Sequence, residues 1–392
     1  MQRYDSIIIG AGAAGLYCAL HAGRRGRRVL VLEHNAEAGA KILISGGGRC
    51  NFTNVNGSDP TRYLSANPHF ARSALTRHSP ADFIALIENH GIAYYEKTLG
   101  QLFCEGARAS QKIVRMLLDE CTQAGVDIRL NCRVRDVRRT ELFEIDTTLG
   151  AFSAETCVIA TGGLSIPKLG ATPLAYDIAK QFSIPIERTR PGLVPLTFSE
   201  TDLAWMRPLS GVSSPVIATC GGASFSEAAL FTHRGLSGPA ILQASSYWSA
   251  GEFMFVDWLP GAADHVFAAR KRERPKAQLK SILAESMSDR LATVLSLHLP
   301  DGAIGDMKDS VLLEAARAMK AWPPKANGTE GYAKAEVTVG GIDTNALSQQ
   351  TMEARAVRGL FFVGEAVDVT GWLGGYNFQW AWSSGCAAGQ SC

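Results

Sequence analysis

Three glycines and one glutamate near the start of the chain are spaced as a dinucleotide site requires. Gly10, Gly12 and Gly15 form a G-x-G-x-x-G pattern, and Glu33 follows further along. The first glycine of such a pattern permits a tight turn, the second lets the backbone approach a pyrophosphate, and the third lets a helix pack closely on a strand. A carboxylate at the position of Glu33 accepts hydrogen bonds from the hydroxyls of an adenosine ribose. The spacing therefore predicts a dinucleotide site and not an isolated glycine turn.

The surrounding residues predict the elements that position these groups. Residues 6–9 form an apolar run typical of a strand, residues 16–23 indicate a helix, and residues 27–32 indicate a second strand that ends at Glu33. The start of the helix, which includes Ala13 and Ala14, offers free N–H groups and the positive end of a dipole to phosphates. Strand, glycine turn, helix, strand and acid thus occur in the order that a Rossmann-type fold needs.

A second glycine-rich segment, ILISGGGRCNFTN, occupies residues 42–54. Its glycines leave the backbone open, so that N–H groups can face a phosphate or a ring edge while Arg49 supplies positive charge. A flexible surface loop is the alternative, but Cys50 and Phe52 are unusual in a solvated linker. Cys50 is a candidate catalytic, redox-active residue. No partner cysteine lies at close spacing, which disfavours a disulfide relay.

The segment from residue 33 to residue 54 has the pattern E-x5-G-x-K-x3-S-G-x-G-R-C-N-x-T-N. This pattern resembles the signature of the bacterial flavoprotein family that includes bile-acid Δ4,6-reductase-like and aminoacetone-oxidase-like proteins. The resemblance implies an α/β fold with a Rossmann-like FAD-binding domain of the glutathione-reductase, two-dinucleotide type. It also implies that FAD contacts several residues of the segment, namely Glu33, Lys41, Ser45, Gly46, Gly48, Arg49 and Asn51.

Two later segments extend the resemblance. Residues 157–163, CVIATGG, resemble the second cofactor-approach motif of this fold. Residues 364–379 resemble the family pattern G-E-x-x-D-x-x-G-x-x-G-G-Y-N-x-Q. The contacts with FAD that these segments imply involve Thr161, Gly162, Gly364, Glu365, Gly375, Tyr376 and Asn377, and the resemblance adds Val134 beside the adenine. A helix that begins near residue 375 would stabilise the negative charge that builds on the reduced flavin ring.

The middle of the chain changes in character. Residues 216–219, 223–225 and 252–258 alternate as antiparallel strands do, and residues 262–320 indicate helices. We expect an FAD-binding domain made of residues 1–195 and 336–392, with residues 196–335 inserted as a β-rich and helical cap over the flavin. No second G-x-G-x-x-G opens this insertion. A dedicated nicotinamide domain is therefore not expected, and NAD(P)H would bind transiently.

Two features of the insertion suggest further roles. Residues 231–239 resemble the T-H-x-G-x-S-G-P motif of the family, and His233 is a candidate catalytic residue that would face the flavin; a structural loop is the alternative. Ser237 can cap a helix that begins at Pro239. A basic cluster is either a solvated helix face or a handle for RNA, although it lacks interleaved aromatic residues. This basic cluster consists of Arg270, Lys271, Arg272 and Arg274.

Length, composition and charge indicate the general class of protein. The chain has 392 residues, 46% hydrophobic residues and 39 glycines, which suits an α/β enzyme. A net charge of +2 gives no general attraction to nucleic acid or membrane. Nine cysteines without C-x-x-C spacing predict reduced, buried thiols and no metal site. No signal peptide and no apolar stretch of about 20 residues occurs, so we expect a soluble, cytoplasmic protein.

The resemblance implies an FAD-dependent oxidoreductase that transfers hydride through flavin N5. Family members are associated with unsaturated steroid-like enones, an amino-ketone, and uridine in ribosomal RNA, and cofactor motifs do not choose among them. The principal expectation is reduction of a conjugated C=C or carbonyl group in a small molecule with NAD(P)H. The alternatives are reduction of uridine in ribosomal RNA, with the basic cluster at the mouth of the active site, and oxidation of an amine or amino-ketone by oxygen.

Overall fold

A computed structural model describes residues 1–392, which divide into two compact units. Unit 1 comprises Met1–Arg190 and Val337–Cys392, and unit 2 comprises Pro191–Glu336. The boundaries expected from the sequence, after residues 195 and 335, lie close to these positions. That unit 2 acts as a cap stays a prediction.

The strands are short except for a few long ones in each unit. In chain order they are β1 (Gln2–Ile9), β2 (Val29–Leu32), β3 (Asn51–Asn54), β4 (Tyr63–Leu64), β5 (Tyr94–Glu96), β6 (Gln101–Cys104), β7 (Asp127–Arg129), β8 (Val134–Arg139), β9 (Phe143–Thr147), β10 (Gly150–Ile159), β11 (Ile186–Gly192), β12 (Leu196–Thr197), β13 (Ser213–Cys220), β14 (Ala223–Thr232), β15 (Gly235–Ser237), β16 (Met254–Asp257), β17 (Gly328–Thr329), β18 (Val337–Ile342), β19 (Leu360–Phe362) and β20 (Thr370–Gly371).

The α-helices connect and cover these strands. In chain order they are α1 (Ala13–Arg24), α2 (Ala40–Ile44), α3 (Arg72–Arg77), α4 (Pro80–Asn89), α5 (Ala109–Gln123), α6 (Leu174–Gln181), α7 (Glu200–Met206), α8 (Pro239–Ser245), α9 (Val266–Glu273), α10 (Leu279–Leu283), α11 (Asp289–Ser296), α12 (Asp309–Lys320) and α13 (Tyr376–Gly389). None of them combines the length and the apolar character that crossing a membrane requires.

Unit 1 is built on a seven-stranded sheet with the order β7-β2-β1-β10-β9-β8, in which β19 also pairs with β10. Strands β7, β2, β1, β10 and β19 run parallel, and all four residues of β2 are buried, as is typical of a parallel sheet covered on both faces. Strands β8 and β9 run antiparallel at the other edge. The sequence predicts that short strands at residues 126–130, 133–137, 142–147 and 154–160 form a meander leading back into the parallel sheet, and for residues 126–130 this prediction is wrong. Strand β7 pairs in parallel with β2, and a three-residue strand carries no pattern that reveals its partner.

Helices α1 and α13 cross at very short distance in unit 1. A Cβ atom added at Gly385 would lie 2.6 Å from the carbonyl oxygen of Ala14, and one added at Gly389 would lie 2.5 Å from that of Cys18. Helix α13 begins at Tyr376, where the resemblance implies a helix start, whereas the residue pattern alone indicates a helix only over residues 380–388. Gly375 adopts a left-handed φ of 98° at its N-cap. The last helix of the chain therefore packs directly on the helix that follows the first glycine turn.

Unit 2 contains a six-stranded antiparallel sheet with the order β16-β13-β14-β15-β12-β17, and α7 to α12 belong to the same unit. The strands and helices expected in this region are therefore present. The predicted capping role of Ser237 is wrong. Ser237 ends β15, and the N-cap of α8 is Gly238, whose φ of 91° favours glycine and leaves the helix without a side-chain cap.

Candidate cofactor site

The first glycine turn in unit 1 has two tight positions and one open one. A Cβ atom at Gly10 would lie 2.5 Å from the carbonyl oxygen of Ala160, and one at Gly15 would lie 1.9 Å from that of Gly10. A Cβ atom at Gly12 would meet no atom within 4 Å. No side chain caps α1, so its first N–H groups are left for a ligand beside this open space. The geometry fits a phosphate group.

Glu33 is held beside the same turn. Its side chain accepts hydrogen bonds from the backbone N–H groups of Ala11, at 2.9 Å from Oε2, and of Asn35, at 2.8 Å from Oε1. The residue is 7% exposed. A carboxylate has more lone pairs than these two bonds use, so Glu33 can also accept from ribose hydroxyls. The structure therefore brings Glu33 to the glycine turn, and the contacts of both with a dinucleotide stay a prediction.

The end of β10 provides a second open position. A Cβ atom at Gly162 would meet nothing within 4 Å, and the hydroxyl of the neighbouring Thr161 is buried without a hydrogen-bond partner. Buried polar atoms without partners are rare and call for an explanation. A bound nucleotide cofactor with several polar atoms supplies one, and the residues present thus fit FAD.

Lys41 and Glu365 meet in a polar cluster that includes two residues absent from the sequence-based site. Lys41 Nζ lies 2.6 Å from Glu365 Oε2 and 2.6 Å from Ser165 Oγ. Ser165 Oγ donates to Glu365 Oε1 at 2.7 Å, and the backbone N–H of Thr338 donates to the same oxygen at 3.0 Å. The Glu365 carboxylate is thus neutralised and hydrogen-bonded within the protein. Neither Ser165 nor Thr338 lies in a recognisable motif, and only the fold brings them here.

The SGGGRCN loop adopts an unusual backbone. Gly46, Gly47 and Gly48 have left-handed φ values of 55°, 68° and 84°, and such a run is accessible to glycine at little cost. Ser45 Oγ donates to the carbonyl of Ile42 at 2.8 Å. The guanidinium of Arg49 donates to the Gly46 carbonyl at 3.1 Å and lies 5.6 Å from the centroid of the Phe103 ring. Arg49 therefore braces the loop in addition to any contact with a ligand.

Cys50 is fully buried, and burial raises the pKa of its thiol to about 12. Reactive cysteines are partly exposed and have depressed pKa values, because the thiolate is the nucleophile. The environment of Cys50 thus disfavours the redox role suggested by the sequence. All nine cysteines are buried and none forms a disulfide.

Hydrogen bonds join β3 to the closing segment of the chain. The Asn51 amide, oriented to satisfy both of its ends, donates to the carbonyl oxygens of Leu102 and Thr53 and accepts from Gly375 N at 3.1 Å. Three further side-chain bonds tie β3 to residues 374–382: Thr53 Oγ1 to Gln379 Oε1 at 2.6 Å, Asn54 Nδ2 to the Gly374 carbonyl at 2.9 Å, and Trp382 Nε1 to the Phe52 carbonyl at 2.8 Å. Strand β3 and the closing segment, which are both expected to contact the cofactor, are thus joined directly by hydrogen bonds.

In the closing segment, residues 364–379, the backbone is more available to a ligand than the side chains are. The Asn377 amide donates to the Gly371 carbonyl and accepts from Gly371 N, both at 2.8 Å. Tyr376 is 5% exposed and meets Tyr63 edge-on, with ring centroids 5.9 Å apart. No side chain caps α13, so the dipole end of this helix is the feature suited to an electron-rich ring edge. Gly364, with a φ of 67°, packs against Ala14, since its Cβ would lie 2.9 Å from the Ala14 Cβ.

The remaining candidates lie apart from these contacts. Val134 is the buried first residue of β8, where it pairs with Thr147. His233 is exposed in the turn between β14 and β15 of unit 2, and the adjacent Arg234 pairs with Glu330 at 3.5 Å. The contact of Val134 with adenine and the catalytic role of His233 stay predictions.

The basic cluster in unit 2 is largely neutralised. Arg270 pairs with Glu273 at 2.6 Å and with Glu285 at 2.7 Å, and Glu285 also pairs with Arg274 at 2.5 Å. A further pair joins Lys271 to Asp309 at 3.0 Å. Of its four members only Arg272 has no acidic partner. This arrangement corresponds to a helix face held by ion pairs and gives little free charge to RNA.

The structure also brings together His21, His78 and Cys386, whose possible ligand atoms all lie within 4.8 Å of one another. Tyr17 Oη lies 2.8 Å from His78 Nε2. Burial lowers the pKa of His21 to about 3 and that of His78 to about 4, so both imidazoles are neutral near pH 7. The sequence gives no hint of this cluster, because its members lie on three segments far apart in the chain.

A protein-family model described as the HI0933-like protein Rossmann domain matches residues 4–391. The chain belongs to this family. It is 50% identical over 395 residues to the ribosomal RNA dihydrouridine synthase of Escherichia coli K12, with 100% of this chain and 98% of the relative covered. It is 28% identical to the 3-dehydro-bile acid delta(4,6)-reductase of Clostridium scindens, with 98% of each covered.

The fold is also that of solved flavoproteins. The 3-ketosteroid-Δ4-(5α)-dehydrogenase of Rhodococcus jostii RHA1 matches with a TM-score of 0.52 and 14% identity, over 100% of this chain and 96% of that one. At this identity the likeness concerns the fold alone. The family and its relatives make the chain an FAD-dependent oxidoreductase, as the resemblance in the sequence implied.

Proposed function

We propose that this enzyme reduces a uridine of ribosomal RNA to dihydrouridine. The observation that carries the proposal is the 50% identity over the whole chain to the ribosomal RNA dihydrouridine synthase of E. coli. The principal expectation from the sequence, reduction of a small molecule, has the weaker support of a relative at 28% identity. No relative described here supports oxidation by molecular oxygen.

The two relatives' names describe related chemistry. The C5=C6 bond of uracil is conjugated with its C4 carbonyl, as the Δ4,6 bonds of a 3-dehydro bile acid are conjugated with the C3 carbonyl. Reduction adds a hydride to one carbon and a proton to the other. Bound reduced FAD supplies the hydride through its N5 atom. One protein framework for reducing a C=C bond conjugated to a carbonyl thus serves either substrate, and identity favours RNA.

The residues of unit 1 provide the proposed cofactor contacts. The open backbone at Gly12 and the uncapped start of α1 receive the pyrophosphate, and Glu33 receives the adenosine ribose. The hydroxyl of Thr161, which is buried without a partner in the protein, would form a hydrogen bond with the cofactor at the end of β10. The uncapped start of α13 would face the pyrimidine edge of the ring and would stabilise negative charge there.

The decisive experiment uses the purified protein loaded with FAD. Anaerobic reduction with NADH and with NADPH in turn identifies the electron donor from the bleaching of the flavin. The reduced enzyme is then incubated with unmodified ribosomal RNA transcribed in vitro, and in parallel with a 3-oxo-Δ4,6 bile acid. Mass spectrometry of the digested RNA should show a uridine heavier by two hydrogen atoms. Reduction of the steroid without any change in the RNA would overturn the proposal.

A reoxidation assay distinguishes the proposed reductase from an oxidase that uses molecular oxygen. Reduced enzyme is mixed with air-saturated buffer in the absence of substrate, and the return of oxidised flavin and the release of peroxide are followed. We expect slow reoxidation compared with turnover on RNA. Rapid reoxidation with stoichiometric peroxide would favour an oxidase instead.

A further inference from the structure

A basic concavity lies on the surface of unit 1, at helix α3. Its volume is about 480 Å³. It is lined by six polar residues, namely His69, Arg72, Ser73, Thr76, Arg77 and Gln349. No acidic side chain is among them, so the lining carries two permanent positive charges and no negative one.

The two guanidinium groups of this concavity are not neutralised. Arg72 is exposed and has no ion-pair partner. Arg77 donates to the backbone carbonyl oxygens of Ser73, at 3.3 Å, and of Gln350. Backbone carbonyls fix the Arg77 side chain without cancelling its charge. The basic cluster in unit 2 differs, because Glu273, Glu285 and Asp309 pair with its members.

The remaining lining groups suit a phosphate. Ser73 and Thr76 offer hydroxyl donors, and Gln349 offers an amide. Arginine with hydroxyl and amide donors is the usual set of groups that contacts the backbone of a nucleic acid, where arginine supplies most of the attraction. A divalent cation or a cationic ligand would be repelled by the same lining.

Helix α3 is joined to the segment that carries the cofactor motif GE-x-x-D. Strand β4, shortly before α3, pairs with β20, with Leu64 opposite Thr370. The backbone N–H of Ala66 donates to Asp368 Oδ2 at 2.8 Å. A ligand bound in the concavity is therefore held on the same unit as the cofactor residues, in a fixed relation to them.

We propose that this concavity binds a backbone phosphate of the RNA substrate, with Arg72 as its main free charge. The inference rests on the proposed function, because it takes RNA to be the polyanion that the enzyme meets. It also moves the expected RNA contact from the basic cluster of unit 2 to helix α3 of unit 1.

The test measures RNA affinity as a function of salt for four proteins loaded with FAD. They are the wild type, Arg72→Glu, Arg115→Glu and Arg272→Glu. Arg115 is the matched control, since it lies on α5 of unit 1 with its side chain 80% exposed and is not among the residues that line the concavity. The probe is a fluorescein-labelled transcript of a ribosomal RNA domain, followed by anisotropy. Flavin absorbance and melting temperature confirm that each variant is folded.

For Arg72→Glu we expect affinity to fall roughly tenfold or more, and the slope of log K against log salt to fall by about 1, because one phosphate contact is lost. Arg115→Glu and Arg272→Glu should bind nearly as the wild type does. Wild-type affinity in Arg72→Glu, or an equal loss in Arg115→Glu, would overturn the inference.

Dihydrouridine formation by the wild type separates the two proposals. If the wild type modifies RNA and Arg72→Glu binds RNA normally, the proposal that the concavity binds RNA is wrong and the proposed function is retained. If the wild type forms no dihydrouridine but Arg72→Glu still loses RNA affinity, the proposed function is wrong and the proposal that the concavity binds RNA is retained. Failure of the wild type to bind RNA at all would overturn both.

Discussion

The ammonium nitrogen of Lys41 lies 2.6 Å from a carboxylate oxygen of Glu365, and this ion pair joins the short helix α2 to the closing cofactor motif. The side chains are 32% and 17% exposed, so the pair is only partly screened by water. Ser165 and Thr338 complete the hydrogen bonds of the carboxylate. The pair thus holds two ends of the chain together at the place where both are expected to meet FAD.

Replacing Lys41 by methionine should lower the free energy of unfolding by about 1–2 kcal/mol, because Glu365 then keeps its charge without its cation. Urea unfolding of the apoprotein measures this change. The matched control is Arg115→Met, which breaks the exposed pair of Arg115 with Asp119 and should cost less than about 1 kcal/mol. The combined Lys41→Met, Glu365→Gln variant should be more stable than the sum of the single changes implies. Simple additivity would show that the two residues do not interact.

Gly12 and Gly15 should respond in opposite ways to substitution by valine. At Gly12 a Cβ has open space and φ is not left-handed, so Gly12→Val should fold as an apoprotein but return no yellow colour, because the side chain fills the phosphate position. At Gly15 a Cβ would lie 1.9 Å from the Gly10 carbonyl oxygen, so Gly15→Val should fail to fold stably. Circular dichroism and flavin absorbance of the purified proteins distinguish the cases. Normal flavin content in Gly12→Val would show that the turn does not bind the pyrophosphate.

The sequence predicts those elements of the fold that are determined by residues close together in the chain. The first βαβ unit, the apolar strand before Thr161 and the closing motif were all recognised, because glycine spacing and strand periodicity act over a few residues. The resemblance implies a helix start near residue 375, which agrees with α13, whereas the residue pattern alone indicates a helix only from Trp380, because the glycines before it look like a loop. Strand β7 was assigned to the wrong part of the sheet because pairing depends on distant residues.

Side-chain partners far apart in the chain were beyond reach of the sequence. The acids that neutralise the basic cluster include Asp309, which no pattern connects to Lys271. Burial of Cys50 follows from the packing of the whole unit, and this burial disfavours the reactivity that its position in a glycine loop suggested. The concavity at Arg72 combines α3 with Gln349 from a remote loop.

Close contact between α1 and α13 should make Gly385 intolerant of even one methyl group. A Cβ at Gly385 would lie 2.6 Å from the Ala14 carbonyl oxygen, a backbone atom that cannot turn aside. Gly385→Ala should therefore lower the free energy of unfolding by about 1–3 kcal/mol, although alanine favours helices more than glycine does. Gln390→Ala, at the exposed end of the same helix, is the control and should change little. A stabilised Gly385→Ala protein would mean that the helices lie further apart.

The neutral imidazoles of His21 and His78 should make the protein sensitive to acid. Burial lowers their pKa values from the ordinary 6.5 to about 3 and about 4. Below pH 6.5 these two histidines are therefore protonated in the unfolded state and remain neutral in the folded state. Their contribution to stability is complete above pH 6.5 and is lost as the pH falls toward 4. At pH 5 the loss should reach about 2 kcal/mol for a single histidine.

The His78→Gln variant separates this effect from general acid denaturation. Glutamine keeps a hydrogen-bonding group near Tyr17 but cannot gain a proton, so its urea midpoint should fall less between pH 7.5 and pH 5 than that of the wild type, a range chosen to bracket the ordinary histidine pKa of about 6.5. His265→Gln, which replaces an exposed histidine in unit 2, is the control substitution. If His78→Gln loses as much stability as the wild type over this interval, the folded protein takes up a proton on His78 as readily as the unfolded chain does, and burial does not lower the pKa of this imidazole.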